Sequence, residues 1–136
     1  MFIRLATSND LEQLKELLNQ LTVVGNPISV GLSVYDNIYV GVINEKIVGC
    51  CTLLVENKII HNGGKVGHIE DVTVDSLYRG KGIGKQLIDY CVKVARDQKC
   101  YKVILDCDEK NVGFYEKCGF KTHGVCMRID LSPSDH

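Results

Sequence analysis

The alternation of apolar and polar residues along the chain locates its predicted helices and strands. Leucines at positions 11, 14, 17, 18 and 21 recur at helical spacing, directly after the short polar side chains of Thr7–Asp10 that are typical of a helix start. Gly25-Asn-Pro27 ends this first helix. Apolar and β-branched runs predict strands at 2–5, 35–44, 47–56, 65–74, 102–106 and 120–129, with further helices from Ile83 to about Ala95 and at 110–117.

The strand at 65–74 contains a change of phase. Ile69 lies on its odd face, whereas Val72 and Val74 lie on its even face. Because one extra residue near Glu70–Asp71 produces such a switch, we expect a β-bulge there. Asn44-Glu-Lys46 connects the predicted strands at 35–44 and 47–56 and is typical of a hairpin turn.

The order of these elements predicts one α/β domain, residues 1–136, with a mixed, mostly antiparallel sheet flanked by helices. A chain of 136 residues with 45% apolar and 24% charged residues is sufficient for a single hydrophobic core. The formal charge of −1 supplies no global field to attract nucleic acid or an anionic membrane. Any anion site is therefore expected to be local.

Seven cysteines stand out in the composition, but their number is odd and no C-x-x-C pair occurs. Most lie in apolar segments, where a free thiol behaves as a small hydrophobe. We therefore expect reduced thiols, a cytoplasmic location and no metal site. The start Met1-Phe-Ile-Arg leads directly into a strand, so we expect no secretory signal.

A glycine-rich loop, Arg79-Gly-Lys-Gly-Ile-Gly84, precedes the second long helix. A P-loop would have glycine where Arg79 stands and Ser or Thr in place of Gln86, and a dinucleotide fingerprint would have glycine in place of Lys85. What remains is Arg-x-x-Gly-x-Gly at a helix N-terminus, where free amides and basic side chains suit a diphosphate. A solvated basic turn that only caps the helix is the alternative.

The loop and its surroundings resemble the GCN5-related N-acetyltransferases, in which an Arg/Gln-x-x-Gly-x-Gly/Ala loop binds the pyrophosphate of acetyl-CoA. The predicted order of strands and helices agrees with that superfamily. Other stretches are similar to its glucosamine 6-phosphate N-acetyltransferase branch, and together they span roughly half the chain. The stretches that carry the resemblance are Val72–Gly84, Asn111–Phe120, Lys58–His61, His68–Asp71 and Cys100–Asn111.

The resemblance implies that acetyl-CoA is a co-substrate held by three parts of the chain. The backbone of the bulged strand would pair with the pantetheine arm, and the glycine-rich loop would hold the diphosphate. The implied cofactor-binding residues are Val72, Thr73, Val74, Arg79, Gly80, Lys81, Gly82, Ile83, Gly84, Lys85, Asp106, Asn111 and Tyr115.

Asp106, Glu70 and Tyr115 are the catalytic residues that the resemblance implies. Asp106 would orient the substrate amine and accept its proton, with Glu70 beside it, and Tyr115 would donate its hydroxyl to the departing thiolate. The residues alone leave alternatives open: Asp106 as a strand-end cap, and Tyr115 as a core aromatic. Glu70 and Asp71 equally fit pairing with nearby lysines or with amides at the bulge.

The sugar phosphate requires cations of its own. The resemblance implies a homodimer with shared active sites, in which Tyr101 and Lys102 come from the partner subunit. The sequence departs from the family at Asp130, where an arginine is expected, and Arg128 lies two residues earlier on the same strand face. The implied substrate-binding residues are Thr22, Lys58, His61, Glu70, Asp71, Tyr101, Lys102 and Arg128.

The expected activity is acetyl transfer from acetyl-CoA to the 2-amino group of D-glucosamine 6-phosphate, a step toward UDP-N-acetylglucosamine. Two alternatives remain open from the sequence. One is the same fold acting on another amine, such as a polyamine or a protein N-terminus. The other is a non-catalytic module that binds acetyl-CoA, although the presence of both Asp106 and Tyr115 argues against it.

Overall fold

A computed structural model of the chain describes residues 1–22, 24–25 and 31–132. Its strands are β1 (Phe2–Leu5), β2 (Ile38–Ile43), β3 (Lys46–Asn57), β4 (Lys65–Val74) and β5 (Cys100–Ile104). Its helices are α1 (Leu11–Leu18), α2 (Ile60–Gly63), α3 (Ile83–Asp97) and α4 (Val112–Lys117). Short 3₁₀ turns lie at Ser8–Asp10, Leu32–Asn37, Ser76–Tyr78 and Glu109–Asn111. The predicted helix break at Asn26 and Pro27 lies outside the described residues.

The five described strands form one sheet in the order β1-β2-β3-β4-β5. Neighbours from β1 to β4 are antiparallel, whereas β5 runs parallel to β4 after the crossover through α3. The β2–β3 hairpin turns at Asn44 and Glu45, which both have positive φ, as the twist of a two-residue hairpin requires. The mixed, mostly antiparallel sheet is therefore confirmed, with the hairpin where the sequence predicts it.

Helices cover both faces of the sheet. Leu14 and Leu17 of α1 are buried on one face, and Leu87, Ile88 and Cys91 of α3 are buried on the other. These positions are those of the predicted helical stripes, so the apolar pattern and the packing agree. None of the described helices is long and apolar enough to cross a bilayer.

Two predicted strands have different bounds in the structure, and a third predicted strand is missing from it. β2 begins at Ile38 instead of position 35, because the preceding residues form a 3₁₀ turn from which Tyr35 is buried in the core. β5 spans Cys100–Ile104 instead of 102–106. The strand predicted at 120–129 is absent from the described chain, and Met127 and Ile129 are 90% and 85% exposed. Its alternating pattern suits a strand, but a strand forms only on a sheet edge, and this segment pairs with neither edge of its own sheet.

Asp10 joins β1 to the start of α1. It is only 5% exposed, and its carboxylate accepts hydrogen bonds from Arg4 Nη1 (2.8 Å), Arg4 Nη2 (3.0 Å) and the backbone N–H of Thr7 (2.8 Å). The hydrogen bonds from Arg4 are the main reason that the pKa of Asp10 lies below its usual value. The ionised form is thus favoured by folding.

We expect Asp10→Asn to lower the free energy of unfolding at pH 7 by about 1–2 kcal/mol, because charge-assisted hydrogen bonds are lost. Since the folded-state pKa is lowered, this stability is present above the unfolded-state pKa of about 3.9 and is lost as the pH falls through the folded-state pKa. Urea unfolding of both proteins from pH 7 downward measures the difference. Asp97→Asn, which breaks only the exposed pair with Lys93, is the control. A difference for Asp10→Asn that widens toward acid pH would show this explanation to be wrong.

Candidate active site

β4 and β5 separate about halfway along β4. Their parallel pairing begins at Lys65 and Cys100 and ends at His68 and Ile104, so the second half of β4 has no strand partner on that side within the described chain. On its other side β4 stays paired with β3 through Thr73 and Val74. The divergence leaves one backbone edge of Val72–Val74 open beside the end of β5.

A β-bulge accompanies this divergence, as the phase change predicts. Between the pairs Cys50–Thr73 and Thr52–Glu70, β3 has one residue and β4 has two, and Asp71 has a φ of 49°. The carbonyl oxygen of Asp71 accepts from the Cys50 thiol at 3.6 Å and from the Thr73 hydroxyl at 3.5 Å. Burial raises the pKa of Cys50 to about 12, so this thiol remains protonated as a donor at neutral pH.

Two cavities lie along the opening. The acidic cavity, of about 430 Å³, is lined by Leu21, Ile69, Glu70, Asp71, Val72, Leu105, Asp106, Cys107, Asp108, Asn111 and Tyr115. The loop cavity, of about 530 Å³, is lined by Gln20, Leu21, Val72, Thr73, Val74, Tyr78, Arg79, Gly80, Gly82, Ile83, Gly84, Lys85, Asn111, Phe114 and Tyr115. Leu21, Val72, Asn111 and Tyr115 line both, so the cavities meet at these side chains.

The acidic cavity brings together the three predicted carboxylates Glu70, Asp71 and Asp106. None of the three forms an ion pair with another described residue. Lys58, one of their possible partners, instead lies 3.5 Å from Glu56. The carboxylates are therefore available to a cationic or hydrogen-bonding ligand.

The glycine-rich loop forms one end of the loop cavity. Gly80 and Gly82 both have a φ of 78°, and a Cβ added at either would meet no heavy atom within 4 Å. Only glycine adopts this conformation without strain, and it leaves the backbone open to a ligand directly before the N-terminus of α3. Arg79 Nε donates to the Val74 carbonyl at 3.1 Å, which ties the loop to β4.

The three basic side chains of the loop differ in their surroundings. Lys85 Nζ lies 2.7 Å from Asp89, so its charge is already paired. Lys81 Nζ lies 5.4 Å from the centre of the Tyr78 ring, on the surface of the loop. Arg79 and Lys85 line the loop cavity, whereas Lys81 does not, so the predicted anion site would depend mainly on backbone amides and Arg79.

Tyr115 stands where the two cavities meet. Its ring makes edge contacts with Phe114 and Phe120, with centroids 5.0 and 6.1 Å away. Burial raises its pKa to about 12, so the hydroxyl is protonated at neutral pH. The side chain is therefore both a packed aromatic, as the alternative interpretation holds, and a hydrogen-bond donor facing a cavity.

Four of the predicted phosphate-binding residues lie at the opposite end of β4 and β5. Tyr101 lies against His61 with ring centroids 4.1 Å apart, and Lys102 Nζ lies 5.7 Å from the Tyr101 ring centre. Lys58 belongs to the same end of the sheet. Lys102 and Asp106 are four positions apart, which is about 13 Å in an extended chain. One chain therefore does not bring this group to the acidic cavity.

Thr22 and Arg128 also lie outside both cavities. Thr22 is exposed and follows Leu21, which lines both cavities. Arg128 is exposed in the segment after α4, and its Nε donates to Asp130 at 2.7 Å. Asp130, which stands where the family has an arginine, thus forms an ion pair with Arg128, the residue predicted to bind substrate in that arginine's place.

Sequence reasoning missed several lining residues. Leu21 fits the helical stripe of α1, which indicates a core position, yet α1 ends at Leu18 and Leu21 faces the cavities. Gln20 belongs to no motif, and Phe114, although inside the stretch Asn111–Phe120, was assigned no role of its own. Gly84 packs against Phe114, because a Cβ at Gly84 would lie 3.1 Å from the ring. In the described part of the chain, no group of three or more His, Cys, Asp or Glu side chains is arranged to hold a metal ion.

Comparison with known proteins assigns this architecture to a family. Residues 12–120 match the acetyltransferase (GNAT) family. The glucosamine 6-phosphate N-acetyltransferase of Arabidopsis thaliana is 40% identical over 124 residues, covering 82% of this chain and 83% of the relative. Glucosamine 6-phosphate N-acetyltransferase 1 of Dictyostelium discoideum is 51% identical over 87 residues, covering 64% of this chain and 55% of the relative. The chain spans little more than half the length of several curated relatives that it matches.

Solved structures agree with this assignment. The crystal structure of glucosamine-6-phosphate N-acetyltransferase from Arabidopsis thaliana has a TM-score of 0.85 and 36% identity, covering 96% of this chain and 98% of that one. The chain therefore belongs to the acetyltransferase (GNAT) family, and the glucosamine 6-phosphate N-acetyltransferases are among its relatives within that family.

Proposed function

We propose that the protein transfers the acetyl group of acetyl-CoA to the 2-amino group of D-glucosamine 6-phosphate, giving N-acetyl-D-glucosamine 6-phosphate and CoA. One observation carries the proposal: a cavity lined by Glu70, Asp71 and Asp106, none of which forms an ion pair within the described chain, meets the glycine-loop cavity at the Tyr115 side chain. An amine and an acyl donor bound in these cavities would face each other at the junction. The names of the relatives support the choice of amino sugar.

The loop cavity fits acetyl-CoA, the acyl donor of GNAT enzymes. Backbone amides at Gly80–Gly84 and the N-terminus of α3 would hold the diphosphate, with Arg79 in the cavity wall and Lys81 on the loop surface adding charge. The edge of Val72–Val74 that faces away from β3 would hydrogen-bond the pantetheine arm as a strand would, because no strand of the described chain pairs with it there. Of its groups, the Val74 carbonyl already accepts a hydrogen bond from Arg79 Nε. Asn111, which lines both cavities, would contact the cofactor near the acyl end.

Asp106 and Glu70 would orient the attacking amine. A lysine amine with a pKa near 10.4 is neutral in roughly one molecule in a few thousand at pH 7, whereas about a tenth of an amine with a pKa near 8 is neutral. An amino sugar whose amine has a pKa near 8 therefore needs correct positioning more than it needs a strong base. Carboxylates without ion-pair partners suit this role, with Asp71 contacting the sugar hydroxyls.

Tyr115 would donate a hydrogen bond to the thiolate that leaves when the amide forms. Its pKa of about 12 lies well above that of an ordinary thiol, about 8.5. The hydroxyl therefore stabilises the developing negative charge while largely keeping its proton. The amine would attack directly in a ternary complex, and none of these steps requires a metal.

A homodimer with shared active sites forms part of the proposal. The amine and the phosphate of glucosamine 6-phosphate lie across a single sugar ring, a shorter span than the roughly 13 Å of strand between Asp106 and Lys102. The phosphate ligands Lys58, His61, Tyr101 and Lys102 would therefore come from the partner subunit. Thr22 and Arg128 would complete the phosphate site, Arg128 after its release from Asp130.

The segment after α4 supports this dimer. Val125, Met127, Ile129 and Leu131 are between 85% and 96% exposed and alternate with polar residues, as one face of a strand does. β5 is an edge strand whose outer side has no partner in the described chain. Since exposed apolar stripes and open edges are typical of interfaces, this segment would pair on the sheet of the second subunit.

A cytoplasmic location is proposed as well. Its support is the set of seven free thiols, of which Cys50, Cys51 and Cys91 are buried inside the core. A reducing compartment keeps such thiols in this state.

Thiol release from acetyl-CoA with a panel of acceptors tests the activity. We expect glucosamine 6-phosphate to be used with a kcat/KM on the order of 10²-fold above glucosamine, because the phosphate forms charge-assisted hydrogen bonds. A chelator should leave the rate unchanged. Full activity on glucosamine would contradict the proposed phosphate site. Turnover of a polyamine or a peptide N-terminus, without turnover of glucosamine 6-phosphate, would contradict the proposed substrate. CoA binding without turnover of any amine would indicate a non-catalytic module.

Two substitutions separate chemistry from cofactor binding. Tyr115→Phe should lower kcat by about 10- to 100-fold while the Kd for CoA changes little, since the hydrogen bond forms only as the thiolate develops. Gly82→Val should chiefly raise the Kd for CoA, because valine disfavours the φ of 78° that opens the loop. Gly113→Ala, in α4, is the control, since a Cβ there also meets no atom within 4 Å. Unchanged CoA affinity in Gly82→Val would remove the loop from the site.

Complementation tests the shared active site. Asp106→Asn and Lys102→Ala should each be nearly inactive alone. When the two chains assemble at random, half of the dimers are mixed and each mixed dimer has one intact site, so about a quarter of wild-type activity should return. No recovery in dimers shown by native mass spectrometry to be mixed would place both residues in sites of one chain.

A further inference from the structure

The turn Ser76–Tyr78 connects β4 to the glycine-rich loop, and the amides of Leu77, Tyr78 and the preceding Asp75 are bound by the turn itself or by β3. Asp75 N donates to Val48 O at 2.8 Å, and Tyr78 N donates to Asp75 O at 2.8 Å. Leu77 N donates to the Asp75 carboxylate at 2.9 Å. The turn is thus fixed on the side of the sheet.

The remaining amide of this turn is bound from a different part of the fold. Ser76 N donates to Gln20 Oε1 at 2.9 Å, across 56 positions of sequence. Gln20 follows α1, in a turn held by bonds from Gln20 N to Leu17 O and from Leu21 N to Leu18 O. The side chain therefore joins the end of α1 to the approach of the glycine-rich loop.

This hydrogen bond stands beside the loop cavity. Gln20 and Leu21 line the cavity together with Val72–Val74 of β4, and Leu21 also lines the acidic cavity. The end of α1 is thus one wall of the channel and β4 is another. A bond from Gln20 to the turn that follows β4 fixes the separation of the two walls.

We propose that Gln20 is a positioning residue that forms the channel for the pantetheine arm before acetyl-CoA binds. The inference rests on the proposed function, because it takes acetyl-CoA as the ligand of the loop cavity. With the bond in place, the wall at Leu21 is already ordered. Without it, the ligand must order the wall itself, and this conformational cost is subtracted from its affinity.

The acidic cavity is affected through Leu21, which both cavities share. When the wall is not ordered in advance, whichever ligand binds first orders it for the second. Loss of the bond should therefore weaken each ligand alone and increase the coupling between them. This coupling distinguishes a positioning role from a purely structural one.

The chain provides a matched control for this role. Gln13, also on α1, accepts a hydrogen bond from Ile47 N at 2.8 Å and lines neither cavity. Gln13→Leu and Gln20→Leu therefore each remove one bond between a glutamine of the α1 region and a backbone amide. Only the second bond lies beside the channel.

Ser76→Pro removes the same hydrogen bond from the donor side. Ser76 is the first residue of its 3₁₀ turn, a position that suits proline. Asp75, with φ −53° and ψ 134°, already has the extended conformation favoured before proline. The variant leaves Gln20 itself unchanged.

Calorimetric titration of the full chain with CoA tests the proposal, with folding checked by circular dichroism. Gln20→Leu and Ser76→Pro should each raise the Kd for CoA by about five- to tenfold, as expected for one lost hydrogen bond. The double variant should be no weaker than the weaker single variant, because both remove one bond. Gln13→Leu should lower the melting temperature but change the Kd less than twofold.

A second titration measures the coupling between the cavities. Bound CoA should strengthen the binding of glucosamine 6-phosphate more in Gln20→Leu than in the wild-type chain. Three results would each overturn the role of Gln20 without affecting the proposed function. They are equal CoA affinity in wild type and Gln20→Leu, additive losses of affinity in the double variant, and unchanged coupling between the two ligands. Failure of the wild-type chain to bind CoA would instead contradict the proposed function.

Discussion

One extra residue in β4 shapes the site. The bulge at Asp71 lets β4 remain paired with β3 while its other edge leaves β5. Because no strand fills the resulting opening in the described chain, the edge of Val72–Val74 beside it has no strand partner. The thiol of Cys50 and the hydroxyl of Thr73 bind the Asp71 carbonyl and stabilise the bulge from inside the core. Cys50 is thus a core residue that also supports the geometry of the site.

The elements around the opening divide the chemical roles. β4 supplies the carboxylate of Glu70 before the bulge, that of Asp71 at the bulge, and a backbone edge without a strand partner after it. The glycine-rich loop supplies amides in a conformation that only glycine adopts readily. α4 brings Tyr115 to the junction, where burial keeps its hydroxyl protonated. Each role follows from where the local sequence ends or interrupts a regular element.

Local patterns in the sequence were sufficient for much of this arrangement. The phase change between Ile69 and Val72 predicted the bulge, and the spacing of Arg79–Gly84 predicted an anion site at the start of α3. The segment at 120–129 shows the limit of such patterns. Its alternation of apolar and polar residues indicates a strand, but a strand forms only where a sheet edge is available to pair with it, and the sequence pattern does not show that. Gln20 was missed because a single long-range hydrogen bond has no periodicity. The separation of Lys102 from Asp106 likewise became evident only from the strand register.

A crystal structure with bound CoA tests the central claim most directly, namely that the opening between β4 and β5 holds the acyl carrier. We expect the diphosphate on the amides of Gly80–Gly84, the pantetheine arm paired with Val72–Val74, and the thiol within hydrogen-bonding distance of the Tyr115 hydroxyl. A diphosphate bound elsewhere, or an opening occupied by a protein strand while CoA lies outside it, would contradict the account.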